Sequence, residues 1–128
     1  FKITLAIVAI AAIACFAVAD EATAVAELTD ATFEEYVKGK GRALIMFYAP
    51  WCGHCKRLKP DYEKAAQENS DINLARVDCT EHRDLCSKYE VRGYPTLKLF
   101  KGDTDPATTE KYAGARTVEA ITSFAKGE

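Results

Sequence analysis

Cys52 and Cys55 are the residues of this 128-residue chain whose types and spacing most directly imply chemistry. Only Gly53 and His54 separate them, so in a helix the two sulfurs lie one turn apart on the same face, close enough to form a disulfide. The thiolate is the nucleophilic form of cysteine, and a free cysteine with a pKa of about 8.5 is mostly protonated at neutral pH. The spacing therefore predicts a redox-active dithiol in which one thiol ionises more readily than the other.

The position of this pair in the chain predicts which thiol reacts. An apolar run at 43–48 is typical of a buried strand, and an amphipathic helical pattern begins at Cys52. A thiol at the N-terminus of a helix lies near unpaired N–H groups and the positive end of the helix dipole, which lower its pKa. His54 adds a group that can be cationic near pH 7, unless it is simply a solvated loop residue. We therefore predict that Cys52 attacks and that Cys55 resolves.

Several neighbours of the dithiol have two interpretations each. Trp51 either packs into the core or offers an apolar surface to unfolded chains, and both roles are compatible. Lys56, Arg57 and Lys59 either assist the thiolate or form a solvated helix face.

The surrounding sequence predicts the elements that position the dithiol. Strand-like runs and helical patterns follow one another in the order β-α-β-α-β-α-β-β-α. This order predicts an α/β domain, in which a central mixed sheet is flanked by helices on both faces and ends in an antiparallel hairpin. The predicted strands are 24–28, 43–48, 72–77, 96–100 and 109–112, and the predicted helices start at Thr29 or Asp30, at Cys52, at Thr80 or Glu81, and at Thr117.

The first 19 residues have the composition of a secretory signal peptide. Lys2 precedes 17 uncharged and almost wholly apolar residues, which end at Ala17-Val18-Ala19, the form of a cleavage site. Cleavage would leave a single domain of residues 20–128 with no membrane segment, and retention of the run as an anchor is the alternative. No K-D-E-L type signal ends the chain, so we expect either secretion or a longer parent protein.

The remaining cysteines indicate a second pair. Loss of the leader removes Cys15 and leaves four cysteines, an even number that favours pairing in the secretory pathway. We expect Cys79 and Cys86 to form a structural disulfide; a second redox centre and a four-cysteine zinc site are the alternatives. His82, between them, is expected to be exposed. The net charge of −2, with dispersed lysines and arginines, argues against nucleic-acid binding.

Two segments carry a resemblance to a known family. The first is Phe47-Tyr48-Ala49-Pro50-Trp51-Cys52-Gly53-His54-Cys55-Lys56, followed by Leu58 and Pro60, and the second is Val91-Arg92-Gly93-Tyr94-Pro95-Thr96-Leu97-Lys98. Together they closely resemble the catalytic, thioredoxin-like domains of the protein disulfide isomerase family, over about residues 25–126. The resemblance implies a thioredoxin-like fold.

The resemblance also implies roles for individual residues. Pro95 matches the family's cis-proline, so the segment Tyr94-Pro95 is expected to lie against the dithiol and, with Trp51, to contact the substrate. Arg116 matches an arginine that moves toward the second cysteine and favours its ionisation. Many members have a buried glutamate, the proton acceptor of that cysteine, where this chain has Met46. Release of a mixed disulfide by Cys55 is then expected to depend on water or on Arg116.

The activity implied is thiol–disulfide exchange that forms, reduces or rearranges disulfides of secretory-pathway proteins. We expect no bound metal or cofactor, with glutathione or an endoplasmic reticulum oxidase as the external redox partner. The implied clients are unfolded or disulfide-containing proteins, the implied location is the endoplasmic reticulum lumen or, alternatively, the extracellular space, and the expected state is a monomer. The alternative function is a redox-independent, chaperone-like binding module. The net direction of exchange stays open.

Overall fold

Strands and helices alternate along the chain as the sequence predicts, in a computed structural model that describes residues 24–128. The predicted signal peptide at 1–19 lies outside the described residues. The strands are β1 (Ala26–Leu28), β2 (Ala43–Tyr48), β3 (Leu74–Asp78), β4 (Thr96–Phe100) and β5 (Glu110–Tyr112). The helices are α1 (Phe33–Lys40), α2 (Gly53–Glu68), α3 (Arg83–Lys88) and α4 (Val118–Lys126), with a short 3-10 turn at Pro106–Thr108.

The five strands form one mixed sheet in the order β1-β3-β2-β4-β5. Strands β1 and β2 run parallel to β3, whereas β4 is antiparallel to both β2 and β5. Helices α2 and α4 pack on one face, and α1 and α3 pack on the other. The predicted α/β class, with a mixed sheet between helices and a terminal hairpin, is confirmed.

The composition of the central strand β2 explains why helices cover both faces of the sheet. All of its residues except Tyr48 are buried, as its nearly continuous apolar sequence predicts. Leu44 and Met46 belong to an aliphatic core beneath α2 and α4, whereas Ile45 and Phe47 belong to the core beneath α1 and α3. In that second core four rings lie 5.0–6.4 Å apart in tilted and edge-on arrangements: Phe33, Phe47, Tyr89 and Phe100.

Helix α2 is fastened to the sheet at its middle. The hydroxyl of the buried Tyr62 lies 2.8 Å from the carbonyl oxygens of both Leu44 and Ala75, on adjacent strands. The helix continues through Pro60, although proline has no N–H to donate to the carbonyl of Lys56. The helix that begins at the dithiol is thereby held against β2 and β3.

Two predicted helix starts were wrong by two or three residues, for local reasons. The carboxylate of Asp78 accepts hydrogen bonds from the N–H (2.9 Å) and hydroxyl (2.6 Å) of Thr80, and this turn delays α3 until Arg83. Before α1, the carbonyl of Thr29 accepts from the N–H groups of Thr32 (3.2 Å) and Phe33 (2.9 Å), and this turn delays the N-cap to Thr32.

The C-terminal helix is tied back to the start of β2. Arg42 donates from Nε to the carbonyl of Ala125 (2.9 Å) and from Nη2 to that of Phe124 (3.1 Å). These carbonyls lie in the last turn of α4, where backbone acceptors run out of helical donors, although that of Phe124 also accepts from the N–H of Gly127 (3.1 Å). Within residues 24–128, no helix is both long enough and apolar enough to cross a bilayer.

Candidate active site

The reactive cysteine lies at the junction between β2 and α2. Cys52 is the N-cap residue of α2, and its sulfur accepts a hydrogen bond from the N–H of Cys55 at 3.3 Å. Its own N–H donates to the carbonyl of Ala49, which closes the turn after the strand (3.1 Å). Both thiols are free, and only 7% of Cys52 and 5% of Cys55 is exposed. An N-terminal sulfur that accepts a backbone N–H is the arrangement that stabilises a thiolate.

The surroundings move the pKa values of the two thiols in opposite directions. Burial opposes ionisation of Cys52, but hydrogen bonds from the thiol and N–H of Cys55 and from the N–H of His54, with the charge of Arg116, hold its pKa below the ordinary value. Burial is also the largest influence on Cys55. Together with the hydrogen bond to the Cys52 sulfur, it raises the pKa of Cys55 to about 12. At neutral pH the pair therefore has one thiol prepared to attack and one kept protonated.

The segment before β4 lies against the attacking sulfur. The Tyr94–Pro95 peptide bond is cis, and the thiol of Cys52 donates to the carbonyl of Tyr94 at 3.5 Å. The hydroxyl of Thr96 donates to the carbonyl of Gly93 (2.7 Å), which closes this loop on itself. The structure thus brings Tyr94 and Pro95 together with the dithiol.

Trp51 lies on the surface beside the same thiol. It is 68% exposed, and its ring meets that of Tyr94 edge-on at a centroid distance of 5.7 Å. A large aromatic with this exposure does not pack the core. Of the two interpretations of Trp51, the exposure favours an apolar surface next to the reactive sulfur.

The side chain of His54 points to a different partner from the one that the sequence indicates. Nδ1 of His54 lies 2.7 Å from Nη2 of Arg57. Because a guanidinium only donates hydrogen bonds, Nδ1 is the acceptor in this contact. The contribution of His54 to the Cys52 thiolate is thus its backbone N–H. Arg57 thus contacts the site through the side chain of His54. The sequence did not predict this contact.

Arg116 lies in the loop between β5 and α4, with its side chain exposed. Its charge favours ionisation at both Cys52 and Cys55, although burial is the larger influence on each. The loop has a defined shape: the hydroxyl of Tyr112 donates to the carbonyl of Ala115, and a Cβ at position 114 would lie 2.7 Å from the Tyr112 hydroxyl oxygen. Gly114 and Tyr112 thus position Arg116, and the only sequence signal for this was a glycine in a short loop.

A cavity of about 300 Å³ adjoins the resolving thiol. Met46 lies in its wall and is buried, so this wall carries a thioether where the resemblance expects a carboxyl group. Across the cavity, Arg76 pairs with Glu27 (2.5 Å) and Glu63 (3.3 Å). The remaining lining residues are Tyr48, Ala49, Pro50, Cys55, Lys56 and Lys59.

Cys79 and Cys86 form a disulfide that links the end of β3 to α3. Both sulfurs belong to the aromatic core, which agrees with a structural role. The pairing also occupies the two sulfurs that a four-cysteine zinc site would need. Within the described residues, no group of three or more potential metal ligands occurs. The prediction for His82 was wrong: its side chain is only 17% exposed, because Nδ1 contacts a carboxylate oxygen of Asp30 at 2.9 Å.

Comparison with known proteins agrees with this geometry. Residues 24–127 match the sequence model of the family described as Thioredoxin. A protein disulfide-isomerase of Arthroderma benhamiae is 54% identical over 95 residues, and protein disulfide isomerase-like 2-1 of Oryza sativa is 48% identical over 105 residues. The matches cover 73% and 79% of this chain, respectively. The solution structure of the first thioredoxin domain of mouse protein disulfide-isomerase A4 superposes with a TM-score of 0.72 at 39% identity, and the match covers 84% of this chain and 76% of that one.

The chain spans only part of the curated relatives. It corresponds to 18% of the length of the Arthroderma benhamiae protein and 28% of that of the Oryza sativa protein. The likeness therefore concerns one domain of each relative.

Proposed function

This chain belongs to the thioredoxin family, as a domain of the protein disulfide isomerase type, and on that premise we propose that it is a thiol–disulfide oxidoreductase of the secretory pathway. The observation that carries the proposal is the contrast between the two thiols. Cys52 caps a helix with a lowered pKa, whereas Cys55, one turn away, has a pKa raised to about 12. A nucleophile and a resolving thiol of a dithiol exchange reaction need that contrast.

In the reducing direction, the Cys52 thiolate attacks one sulfur of a client disulfide, and the other client sulfur leaves as a thiolate that takes up a proton. Cys55 then loses its proton and attacks the Cys52 sulfur of the mixed disulfide. The second client thiol is released, two electrons have passed to the client, and the Cys52–Cys55 disulfide remains. In the oxidising direction a client thiolate attacks that disulfide at Cys52, and Cys55 leaves as a thiolate that takes up a proton. A second client thiolate then attacks the client sulfur of the mixed disulfide and displaces the Cys52 thiolate, so that the client loses two electrons and gains a disulfide.

The same contrast affects the redox balance. Every interaction that stabilises the Cys52 thiolate stabilises the reduced protein and makes the Cys52–Cys55 disulfide a better oxidant. Each pKa unit corresponds to about 1.4 kcal/mol. The lowered pKa of Cys52 therefore supports a protein that can donate its disulfide, with glutathione or an oxidase of the endoplasmic reticulum to regenerate it.

Cys55 needs a proton acceptor when it attacks, because its pKa is high. Met46 offers none. The adjoining cavity is large enough to admit water, which would accept the proton, and the charge of Arg116 would stabilise the emerging thiolate. Water and Arg116 are the two alternatives that the sequence analysis left open for the deprotonation of Cys55.

We propose that clients bind at Trp51, Tyr94 and Pro95, where Trp51 is exposed, Tyr94 is half-buried and the buried Pro95 contributes through the backbone of its segment. An exposed indole beside the sulfur and the backbone of the Tyr94–Pro95 segment suit an extended, partly apolar polypeptide. We propose that the protein acts in the lumen of the endoplasmic reticulum, as its likeness to protein disulfide isomerases and the predicted signal peptide suggest, with secretion as the alternative. We expect it to act as a monomer on disulfide-containing clients.

Paired cysteine variants test the proposal. Reduced Cys55→Ser keeps the attacking thiol but lacks the resolving one, so it should accumulate a mixed disulfide with a disulfide-containing client protein. Cys52→Ser is the matched control and should accumulate none, because its remaining thiol is buried and protonated. Non-reducing electrophoresis after acid quenching separates the two results. Equal trapping by both variants would contradict the assignment of roles.

The chaperone-like alternative is tested with the double variant Cys52→Ser/Cys55→Ser. If the protein acted only by binding unfolded chains, this variant would retain full activity in the refolding of a client with native disulfides. We expect it to lose disulfide formation altogether. Circular dichroism of both proteins controls for folding.

A further inference from the structure

A second groove adjoins the Tyr94–Pro95 segment, outside the dithiol itself. Its volume is about 450 Å³, and its walls are the segment 93–96 and four charged residues: Glu90, Arg92, Lys98 and Lys111. We call the part formed by Arg92, Lys98 and Lys111 the basic groove. None of the reactions described above uses these three cations.

The two lysines are held together by the sheet. Lys98 on β4 and Lys111 on β5 are direct partners in the antiparallel register, so both side chains stand on the same face of the hairpin. Like charges directly opposite each other on adjacent strands destabilise a sheet. No residue of the basic groove forms an ion pair with another part of the described chain.

The acidic residues nearby do not neutralise the groove. Glu90 is the only carboxylate in its walls, against three cations. Glu110, next to Lys111 in sequence, contacts Lys101 at 3.4 Å. The groove therefore keeps an excess of positive charge, and it suits an anionic group from another molecule.

The groove is continuous with the site of chemistry. Tyr94 and Pro95 line it, and the carbonyl of Tyr94 accepts a hydrogen bond from the Cys52 thiol. A client held in a mixed disulfide with Cys52 and extended along the Tyr94–Pro95 segment therefore runs beside the basic groove, which the same segment lines.

We propose that the basic groove binds acidic side chains of the client next to its reacting cysteine, so that the protein prefers cysteines flanked by aspartate or glutamate. This inference rests on the proposed function and specifies its substrate class. The chain carries a net charge of −2, so its overall field does not favour an acidic peptide. A preference for such a peptide must come from local cations.

Matched peptides test the preference. Each contains one cysteine in a mixed disulfide with thionitrobenzoate and two glutamates, two glutamines or two lysines beside it. Reduced protein attacks the peptide sulfur and releases the chromophore, so a single-turnover absorbance trace gives the second-order rate constant. We expect the glutamate peptide to react about 3- to 10-fold faster than the glutamine peptide, as about two exposed charge pairs would produce, and the lysine peptide more slowly than both.

The variants locate the effect. Lys98→Gln/Lys111→Gln should remove the preference for glutamate and leave the rate with the glutamine peptide within about twofold of the parent rate. Lys38→Gln/Lys64→Gln changes the net charge equally at two exposed lysines elsewhere and should preserve the preference. Lys111→Glu, a single exposed change, should shift the preference toward the lysine peptide.

The outcomes are distinct. Exchange with all peptides at equal rates, or a preference that survives in Lys98→Gln/Lys111→Gln, overturns the inference but not the proposed function. No exchange with any peptide overturns the proposed function. If Lys98→Gln/Lys111→Gln slows oxidised glutathione while the parent protein does not distinguish the peptides, the groove binds the carboxylates of glutathione and the inference about clients is wrong.

Discussion

Selective alkylation measures the contrast between the two thiols, on which the proposed mechanism depends. A maleimide or haloacetamide reacts with the thiolate, so its rate at each sulfur follows the fraction ionised. At pH 7 a thiol with a pKa of about 12, as for Cys55, is about 10⁻⁵ ionised, whereas a flexible cysteine is about 3% ionised. Ionisation alone should make Cys55 about 3,000-fold slower than an unstructured cysteine. Cys52, with its lowered pKa, should be faster than that reference at pH 6–7.

The assay is a time course of alkylation of the reduced protein across pH, quenched with acid and analysed by peptide mass spectrometry. The sign follows from the direction of the shift: because the Cys52 pKa is lowered, its rate should reach a plateau at a lower pH than that of a flexible peptide and fall only as the pH drops through the lowered value. Cys55 should stay unmodified throughout. The unfolded protein in urea, in which both thiols should react alike, is the control. Comparable labelling of both thiols in the folded protein would refute the reasoning.

Three further changes test the site and the fold. Met46→Glu places a carboxylate in the cavity beside Cys55, where it can act as a general base, and should accelerate the Cys55-dependent decay of a mixed disulfide at least about tenfold. Met46→Gln, of similar size, should leave the rate of decay unchanged. Rapid acid quenching measures both rates, and equal rates in the two variants would contradict a role for a proton acceptor at this position. Tyr62→Phe removes the hydroxyl that lies between two strand carbonyls and should lower the free energy of unfolding by about 1–2 kcal/mol in urea titrations. An unchanged midpoint of the urea transition would show that these hydrogen bonds do not stabilise the fold. Replacing Cys79 and Cys86 by serine should lower the free energy of unfolding by roughly 2–3 kcal/mol, since their loop is short; a loss of exchange activity without a loss of stability would instead indicate a second redox centre.

The sequence predicted the fold because its patterns are local and strong. The apolar run at 43–48 predicts a buried strand, and the amphipathic pattern that starts at Cys52 predicts a helix. Together these two patterns place the strand-to-helix junction at the dithiol. The starts of α1 and α3 were less certain, because side chains such as that of Asp78 compete for backbone N–H groups in ways that periodicity does not show.

The site was predictable only in part. The dithiol and the segment at Pro95 carry their own motifs, so their approach to each other was expected. The contact of Arg57 with His54 and the pairing of Lys98 with Lys111 depend on rotamers and on strand register, respectively. Neither can be inferred from spacing along the chain, because β4 and β5 are joined by a loop of nine residues whose length does not specify a register.

The exposed indole next to the dithiol makes the protein its own optical probe. Trp51 is the only tryptophan of the chain, and the buried aromatic cluster under α1 and α3 contains only phenylalanine and tyrosine rings. Tryptophan emission therefore comes from the catalytic surface alone. Oxidation of the dithiol and capture of a client can thus be followed by the emission of Trp51 without any added label.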